Sequence, residues 1–306
     1  MGGGQSPIPV RVADFLTATW LPAVAGSVRP TTFAGYRCHV VRHLVPRLGS
    51  LELENVSPSA INRFYAELVS SGLNATTVRR IHATLQRALR DAVRWDLLDN
   101  NPAERSDPPR SARPEMKTWS AAELRAFLSF VRRDELHLLW LVLAMTGMRR
   151  GEALGLRWGD VDVERRLVVV RRTIVVVGHE VVESEPKTAK GRRMVALDET
   201  TAAALGEFDR SSGSVFTGAD GSRPHPTRVS KRFARLVVDS GLPRIRLHDL
   251  RHTHATLALE AGVNPKIVSE RLGHSTVAFT LDVYSHALQH MQEEAAEKIG
   301  GLVFGV

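Results

Sequence analysis

Cysteine is nearly absent from this sequence: the 306 residues include one, Cys38. A single cysteine cannot form an internal disulfide or supply the paired thiolates of a structural zinc site. Long apolar runs are also missing, since the longest, residues 136–145, falls well short of the roughly 20 residues that span a bilayer. The first residues, MGGGQSP, have neither the basic nor the apolar part of a secretory signal. These absences predict a protein of the reducing cytoplasm that does not enter a membrane.

Lysine is scarce as well, because only six of the 41 basic residues are lysine. The remaining basic residues are arginines, and the chain carries a net charge of +8 with a pI of about 10.2. Such a charge attracts polyanions, and the planar guanidinium fork suits phosphate oxygens. A GC-rich genome would also favour arginine codons, so composition alone leaves the two explanations open. Nucleic acid is the expected partner.

The length favours two domains over one. Residues 100–114 read NNPAERSDPPRSARP, with four prolines and no apolar periodicity, which is typical of a linker. We therefore predict an N-terminal tail at 1–9, a helical domain at 10–104, a linker at 105–114, a larger domain at 115–299 and a C-terminal tail at 300–306.

The first domain is predicted to be a bundle of about four helices. Apolar residues recur at helical spacing, with a cap at Ser57 and a stop at Gly72 for the third helix. The fourth helix, from about residue 74 to 95, has a cationic side that is either a solvated face or a surface for DNA phosphates. The candidate DNA-binding residues on it are Thr76, Thr77, Arg79, Arg80, Thr84, Arg87 and Arg94.

The second domain is predicted to be helical around a small antiparallel β-sheet. Ser120 begins a capping box, and the apolar run 136–145 predicts a central buried helix. Three β-branched runs, 167–177, 180–183 and 193–197, predict a three-stranded sheet. Helices are expected after it at 228–240, 249–261, 265–272 and 285–299.

Ionisable side chains occur in short motifs of this second domain. In TGMRRGEALGLRW, residues 146–158, Arg149 and Glu152 have i, i+3 spacing and could pair. Lys187 lies in a basic turn between predicted strands. Taken alone, Arg149 and Glu152 could form an ordinary surface ion pair, and the turn that contains Lys187 could simply be solvated. In HDLRHTH, His248 and Arg251 lie one helical turn apart and could face a single anion.

The histidines that follow Arg251 raise a separate question. His252 and His254 could suggest a metal site, but alternate residues on a helix diverge and no third ligand follows at a suitable spacing. Farther along, His274 lies in LGHS and Tyr284 in LDVYSH, where the tyrosine ring could simply pack on the core.

Together, these residues suit phosphoryl transfer through a covalent intermediate. Fixed arginines stabilise the charge of a phosphodiester transition state. A tyrosine hydroxyl can attack phosphorus if neighbouring cations favour its ionisation, and a lysine can protonate the leaving 5′ oxygen. The candidate catalytic residues are Arg149, Lys187, His248, Arg251, His274 and Tyr284, with Glu152 in support.

These motifs, in this order, resemble those of the tyrosine recombinase family, the phage integrases, over residues 10–299. Arg149 and Glu152 match its T-G-x-R-x-x-E box, Lys187 matches its hairpin lysine, and His248 and Arg251 match its H-x-x-R box. His274 matches the histidine of its L-G-H box, and Tyr284 matches its nucleophile.

The resemblance implies a two-domain clamp around duplex DNA, formed by a helical core-binding domain and a tyrosine-recombinase catalytic domain. It implies cleavage to a 3′-phosphotyrosine with release of a 5′-hydroxyl, in a homo-tetramer on synapsed DNA, without a nucleotide cofactor or divalent metal. Accessory bending or directionality proteins are possible partners. The implied roles are phosphate binding by Arg149 and Arg251, hydrogen-bond donation by His274, general acid for Lys187, base or proton relay for His248 and nucleophile for Tyr284.

Three alternatives stay open at the level of sequence. Residues 258–272 resemble a helix-turn-helix, which alone would suggest a DNA-binding regulator. A type IB topoisomerase would share the phosphotyrosine chemistry. Within the recombinases, an integrase of a phage or mobile element is favoured over a chromosome-dimer resolvase. Larger members of the family carry a preceding arm-binding domain, which residues before 10 could not form, so we expect either a truncated chain or a protein that acts on simple sites. The apolar tail 300–306 is expected to pack on a neighbouring protomer, with docking on its own chain or disorder as the alternatives.

Overall fold

The protein, described here by a computed structural model, folds into two compact units, residues 1–114 and 115–306. The structure describes residues 9–111, 116–178, 180–185, 191–208, 213–218, 220–274, 276–284, 296 and 299–305. The boundary between the units falls at the end of the segment that the sequence predicts to be a linker.

Within residues 9–111, the N-terminal unit has four long helices, as predicted, and short 3-10 helices at Leu53–Asn55 and Pro102–Arg105. The long helices are α1 (12–25), α2 (30–48), α3 (Pro58–Ser70) and α4 (Ala75–Arg94). The Ser57 hydroxyl accepts the Ala60 N–H at 3.2 Å at the start of α3, and the Asn74 side chain accepts the Thr77 N–H at 2.8 Å at the start of α4. The apolar stripes of the helices meet in one buried core.

Between residues 116 and 284, the described part of the C-terminal unit contains eight further α-helices, with 3-10 helices at Val131–Arg133 and Trp158–Asp160. The α-helices are α5 (Ala121–Phe130), α6 (His137–Thr146), α7 (Arg150–Leu154), α8 (Glu199–Gly206), α9 (Pro226–Asp239), α10 (Asp249–Glu260), α11 (Pro265–Leu272) and α12 (Val277–Val283). Helix α6 is buried along almost its whole length, as its continuous apolar sequence predicts, and the other elements of the unit pack around it. In the described part of the chain, no helix is both long and apolar enough to cross a membrane.

The predicted three-stranded sheet is wrong in its connections. Strands β1 (Val161–Asp162), β2 (Leu167–Val170) and β5 (Arg193–Ala196) form one antiparallel sheet in the order β1-β2-β5. Strands β3 (Thr173–Val177) and β4 (Glu180–Ser184) form a separate antiparallel pair.

The break between the two sheets falls at two arginines inside the run predicted as one strand. Arg171 Nε lies 3.6 Å from an oxygen of the buried Asp160 carboxylate, and Arg172 pairs with the same carboxylate. The two arginines lie between β2 and β3, where the chain leaves the first sheet and begins a new hairpin. The segment that contains Lys187 therefore connects β4 and β5, which belong to different sheets.

The C-terminal end is described only in part. The helix predicted at 285–299 lies almost entirely outside the described residues. Residues 299–304 are helical, and Leu302, Val303 and Phe304 are exposed. The predicted packing of the tail on a neighbouring protomer stays a prediction.

Candidate active site

A tight turn after α6 brings the first motif against two later helices. Gly147 ends α6 in the left-handed region, with φ +64°. A Cβ at this position would lie 2.5 Å from a Leu272 side-chain carbon and 2.8 Å from the His254 ring. Only glycine fits here without displacement of α10 or α11, so the turn and the two helices form one packed unit.

Arg149 and Glu152 form a reciprocal pair at the start of α7. The backbone N–H of Arg149 donates to Glu152 Oε2 at 2.9 Å, and its guanidinium donates to Oε1 at 2.7 Å. The second terminal nitrogen of Arg149 lies 3.3 Å from the Gly273 carbonyl oxygen. The side chain of Arg149 stays 43% exposed, which leaves part of the guanidinium open to an incoming anion.

Glu152 also binds an arginine that the sequence motifs did not single out. Arg193, at the start of β5, donates to Glu152 Oε2 at 2.8 Å and to the Arg271 carbonyl at 2.6 Å. Burial alone would raise the pKa of Glu152, but the hydrogen bond and charge of Arg193, followed by the charge of Arg149, hold it below its usual value. The carboxylate is therefore ionised and fixes two guanidinium groups.

Arg251 is buried and aimed by two backbone carbonyls. Its terminal nitrogens donate to the Gly147 oxygen at 2.8 Å and to the Leu272 oxygen at 2.7 Å, and the residue is 3% exposed. Burial, and then the charge of Arg149, lower its pKa to about 9, so the guanidinium stays charged at neutral pH. Arg149 and Arg251 thus meet at the end of α11.

Two predicted histidines lie close to these arginines. His248 is the N-cap residue of α10, and the packing around its ring, with the charges of His252 and Arg251, lowers its pKa. His274 is 6% exposed, with Nδ1 2.8 Å from the Thr280 hydroxyl oxygen. Burial, and then the charges of Arg251 and Arg149, lower the pKa of His274 to about 3. Both rings are therefore neutral at physiological pH.

Tyr284 follows α12 and is fully buried, at 0% exposure. Its hydroxyl oxygen lies 2.8 Å from Nδ1 of His252, and the two ring centroids are 5.8 Å apart. Burial raises the pKa of Tyr284 to about 12, while the charge of Arg251 acts in the opposite direction. Tyr284 belongs to the same buried cluster as Leu272, whose carbonyl oxygen accepts a hydrogen bond from Arg251.

His252 and His254 have different partners, as the divergence of alternate helical positions predicts. Nδ1 of His254 lies 3.0 Å from the Ala144 carbonyl, and its Nε2 accepts a hydrogen bond from Arg271 at 3.1 Å. Arg271 also donates to the Met145 carbonyl at 3.0 Å. Across the described ranges, no group of three His, Cys, Asp or Glu side chains is arranged to hold a metal ion.

Lys187 is the predicted site residue whose position is not given, because it lies outside the described residues. The residues that flank its segment, Glu185 and Arg192, form an ion pair at 2.7 Å. The role of Lys187 stays a prediction.

The candidate DNA-binding residues of α4 divide into two groups. Arg79 and Arg80 are exposed, whereas Thr84 is 2% exposed. The Thr84 hydroxyl donates to the Arg80 carbonyl at 3.1 Å and lies 2.8 Å from Nδ1 of His39. The prediction that Thr84 contacts phosphate is therefore wrong, because its hydroxyl is enclosed in the bundle.

The remaining candidates on α4 have partners in the same unit. Arg87 and Arg94 each lie 3.0 Å from the buried carboxylate of Asp91, which also accepts from Trp20 Nε1 at 2.9 Å. Both guanidinium groups stay partly exposed, so each can still contact phosphate. Thr76 hydrogen-bonds the Ser111 hydroxyl at 2.7 Å, and the backbone N–H of Thr77 donates to the Asn74 cap in the first turn of the helix.

The sequence motifs did not single out Arg193 and Arg271. They also did not indicate that His252 contacts Tyr284. Arg193 carried a weak signal, since it follows the basic turn directly, but its pairing with Glu152 joins residues 41 positions apart. Arg271 and His252 lie within or beside the motifs, yet their contacts depend on the packing of α10 against α11.

Known proteins are similar to this chain in sequence and in fold. The sequence profile of the phage integrase family matches residues 118–291. The ICEBs1 integrase of Bacillus subtilis (strain 168) is 26% identical over 303 residues, which covers 94% of this chain and 82% of that protein. The match spans both units.

Two solved structures share the fold. The Tn1549 transposon integrase, solved with a circular intermediate DNA, has a TM-score of 0.81 at 23% identity and covers 94% of this chain and 99% of its own. A lambda integrase tetramer bound to a Holliday junction has a TM-score of 0.71 at 18% identity, covering 91% and 79%. The matches extend over both units of this chain.

The chain belongs to the phage integrase family. As a member of it, the protein is a site-specific DNA recombinase of the tyrosine type, an enzyme that cleaves and rejoins DNA strands.

Proposed function

We propose that Tyr284 is the nucleophile of this recombinase and that Arg149 and Arg251 bind the scissile phosphate. The single observation that carries the proposal is the convergence of all three on one segment. Arg251 and Arg149 donate to the carbonyls of Leu272 and Gly273, and the Tyr284 ring belongs to the same buried cluster as Leu272. Guanidinium groups held in this way stabilise the added charge of a five-coordinate phosphorus.

In the proposed reaction, the Tyr284 oxygen attacks phosphorus and the 5′ oxygen leaves with a proton. Lys187 supplies that proton as general acid. His274, neutral and buried, donates a hydrogen bond to a phosphate oxygen. Glu152 acts on the phosphate indirectly, because it holds Arg149 in place. The phosphodiester bond energy is kept in the 3′-phosphotyrosine until a 5′-hydroxyl of the partner strand attacks it.

The partner in this proposal is duplex DNA that carries a recombination site of a phage or mobile element. The N-terminal unit binds the core site through the exposed cationic face of α4, and both units close around the duplex as a clamp. Four protomers act on synapsed DNA, by analogy with the lambda integrase tetramer on its Holliday junction. In this proposal, the protein acts in the cytoplasm, and its further partners are accessory bending or directionality proteins.

A denaturing gel tests the proposal. Wild-type protein incubated with a duplex that carries the recombination site is expected to form a covalent adduct that survives denaturation. Tyr284→Phe should form none, while Tyr36→Phe, which removes a tyrosine hydroxyl from the other unit, should retain it. Absence of an adduct on a verified site would favour a DNA-binding regulator built on residues 258–272.

Relaxation of supercoils separates the recombinase from the type IB topoisomerase. A topoisomerase relaxes plasmids that lack any recombination site, and a recombinase joins strands between two sites. We expect exchange between two sites on linear duplexes and no general relaxation of plasmids.

A further inference from the structure

Attack by Tyr284 on phosphorus requires a group that accepts the proton of its hydroxyl. A phenol attacks phosphorus only as its proton departs, and burial makes the ionisation of Tyr284 more difficult than in water. The sequence motifs offered His248 as base or relay. In the structure, the hydroxyl of Tyr284 instead contacts a different imidazole, that of His252.

We propose that His252 is the general base that takes the proton of Tyr284. The inference rests on the proposed function of Tyr284 as nucleophile. Nδ1 of His252 lies 2.8 Å from the Tyr284 oxygen, which is within direct proton-transfer distance. The acceptor is therefore already hydrogen-bonded to the group that it activates.

The position of His252 on α10 couples the base to the phosphate site. It follows Arg251 directly, so one turn of α10 carries both a phosphate-binding arginine and the proton acceptor. His248 lies one turn before His252 on α10, with the two rings edge to face and 5.1 Å between their centroids. The His252 ring is therefore adjacent both to the His248 ring and to the Tyr284 ring.

The protonation state of His252 fits the role of a base. Burial lowers its pKa, Asp249 acts to raise it, and Arg251 and Arg246 lower it further. The ring is thus neutral at physiological pH. The proposed role requires the tautomer that carries its proton on Nε2, so that Nδ1 accepts from the tyrosine hydroxyl. The carboxylate of Asp249 favours the imidazolium that forms when the proton arrives.

The proton balance closes over both steps. In cleavage, the Tyr284 proton moves to His252 as the tyrosine oxygen bonds to phosphorus, and the 5′ oxygen leaves with the proton of the general acid. In ligation, the 5′-hydroxyl loses its proton to that acid's conjugate base and attacks phosphorus. The tyrosine oxygen then leaves with the proton stored on His252.

A pair of substitutions separates a base from a merely structural contact. His252→Asn places an amide oxygen close to the position of Nδ1, so it can still accept the tyrosine hydrogen bond but cannot take the proton. His252→Ala removes both functions. If His252 is the base, both variants should lose about 10²- to 10⁴-fold in the single-turnover rate of adduct formation. If it only positions or stores the tyrosine, His252→Asn should keep the wild-type rate, or His252→Ala should cleave faster.

The pH profile gives a second readout that a structural role would not move. Without the base, attack requires free tyrosinate, and the pKa of Tyr284 lies well above neutral pH. The rate of His252→Asn should therefore rise about tenfold per pH unit throughout a measured range that ends at about pH 9. The wild-type rate should level off once His252 is neutral. Parallel profiles for the two proteins would overturn the proposal.

A duplex with sulfur in place of the bridging 5′ oxygen tests which proton is involved, because a thiolate leaves without protonation. This substrate should rescue Lys187→Ala and leave the defect of His252→Asn in place. Rescue of His252→Asn would assign His252 to the leaving group and overturn the proposal. The wild-type protein and Tyr284→Phe are the controls in the same assay. If the wild-type protein forms no adduct, the proposed function is refuted. If His252→Asn forms the adduct at the wild-type rate, only the assignment of His252 as the general base is refuted. Equal DNA binding and thermal melting confirm that the variants fold.

Discussion

The arginines of α4 and those of the active site differ most in their surroundings. On α4, the side chains of Arg90 and Arg94 are 59% and 64% exposed. In the C-terminal unit, the side chain of Arg193 is 7% exposed and Arg251 is 3% exposed. The buried pair donates to backbone carbonyls and to Glu152 at 2.6–2.8 Å.

This difference separates two uses of the same side chain. An exposed guanidinium contacts phosphate with little loss of its own freedom, and its attraction weakens with salt. A buried guanidinium costs desolvation energy, which carbonyls and an ionised carboxylate offset, and in return it is already aimed when charge develops on phosphorus. The cationic face of α4 is therefore expected to govern the affinity for DNA. The buried cluster of Arg193, Arg251 and Glu152 is expected to govern the rate of strand cleavage.

Removal of the nucleophile is the most severe test of that division. Tyr284→Phe should abolish adduct formation, because no other atom takes the place of the tyrosine oxygen. Affinity for duplex DNA, measured by gel shift, should stay within about twofold, since the exposed arginines are untouched. A large loss of affinity would show that the two regions are not separable in function.

Removal of a buried arginine should have the next largest effect. Arg251→Ala should slow cleavage at saturating DNA by about 10²- to 10³-fold, or roughly 3–4 kcal/mol, the scale of one lost donor to a transition-state oxyanion. Arg251→Lys should recover little, because an ammonium cannot reach both carbonyls in a planar fork. Single-turnover kinetics measures both variants.

An exposed arginine in the same unit provides the control for that experiment. The Arg165 side chain is 81% exposed, and Arg165→Ala should leave the cleavage rate unchanged. Wild-type rates for Arg251→Ala would contradict the assignment of the buried cluster to the reaction.

Glu152 should show how the cluster depends on its carboxylate. Its pKa in the folded state is depressed, so its contribution to stability is present above the unfolded value of about 4.3 and is lost as the pH falls through the folded value. Glu152→Gln should lower the free energy of unfolding by about 2–3 kcal/mol at pH 7, because two guanidinium groups lose their counter-charge. Urea denaturation measures the change.

The loss should shrink in acid, because the wild-type carboxylate becomes protonated there. Glu199→Gln is the matched control, since that side chain is 90% exposed. It should change the stability by less than about 0.5 kcal/mol at any pH. An equal effect of both substitutions would remove the argument that the buried carboxylate fixes the arginines.

The sequence predicted the elements of the fold better than their connections. Helix α3 begins directly after the predicted cap at Ser57, and α11 has the predicted bounds of 265–272. The strand prediction failed at Arg171 and Arg172, because β-branched periodicity gives no sign that two side chains will bind the distant Asp160 carboxylate. Local propensity defines an element, and long-range ion pairs decide where it breaks.

The candidate site divides in the same way. Motif spacing named Arg149, Arg251 and Tyr284, and the structure brings them to one region. The spacing did not indicate that His252 contacts the tyrosine, because that contact joins positions 32 residues apart through the packing of α10. It also placed Thr84 on the cationic face, although its position on α4 turns the hydroxyl toward His39.

The smallest expected effect concerns two arginines of α4 that differ in exposure and in their partners. Arg80 is exposed, whereas Nε of Arg87 donates to the buried Asp91 at 3.0 Å. Arg80→Ala should weaken DNA binding and lower the slope of log K against log salt by about 0.9, the contribution of one phosphate contact.

Arg87→Ala should reduce that slope less, because part of its charge is already offset, and should instead destabilise the N-terminal unit by about 1 kcal/mol through the loss of a hydrogen bond to a charged group. Binding isotherms at several salt concentrations measure the slope, and thermal melting measures the destabilisation. If the two variants behaved alike in both, the exposed and the paired arginines would be equivalent on DNA. The difference between the arginines of α4 and those of the active site would then depend on burial alone. Whether a guanidinium already has a partner would not matter.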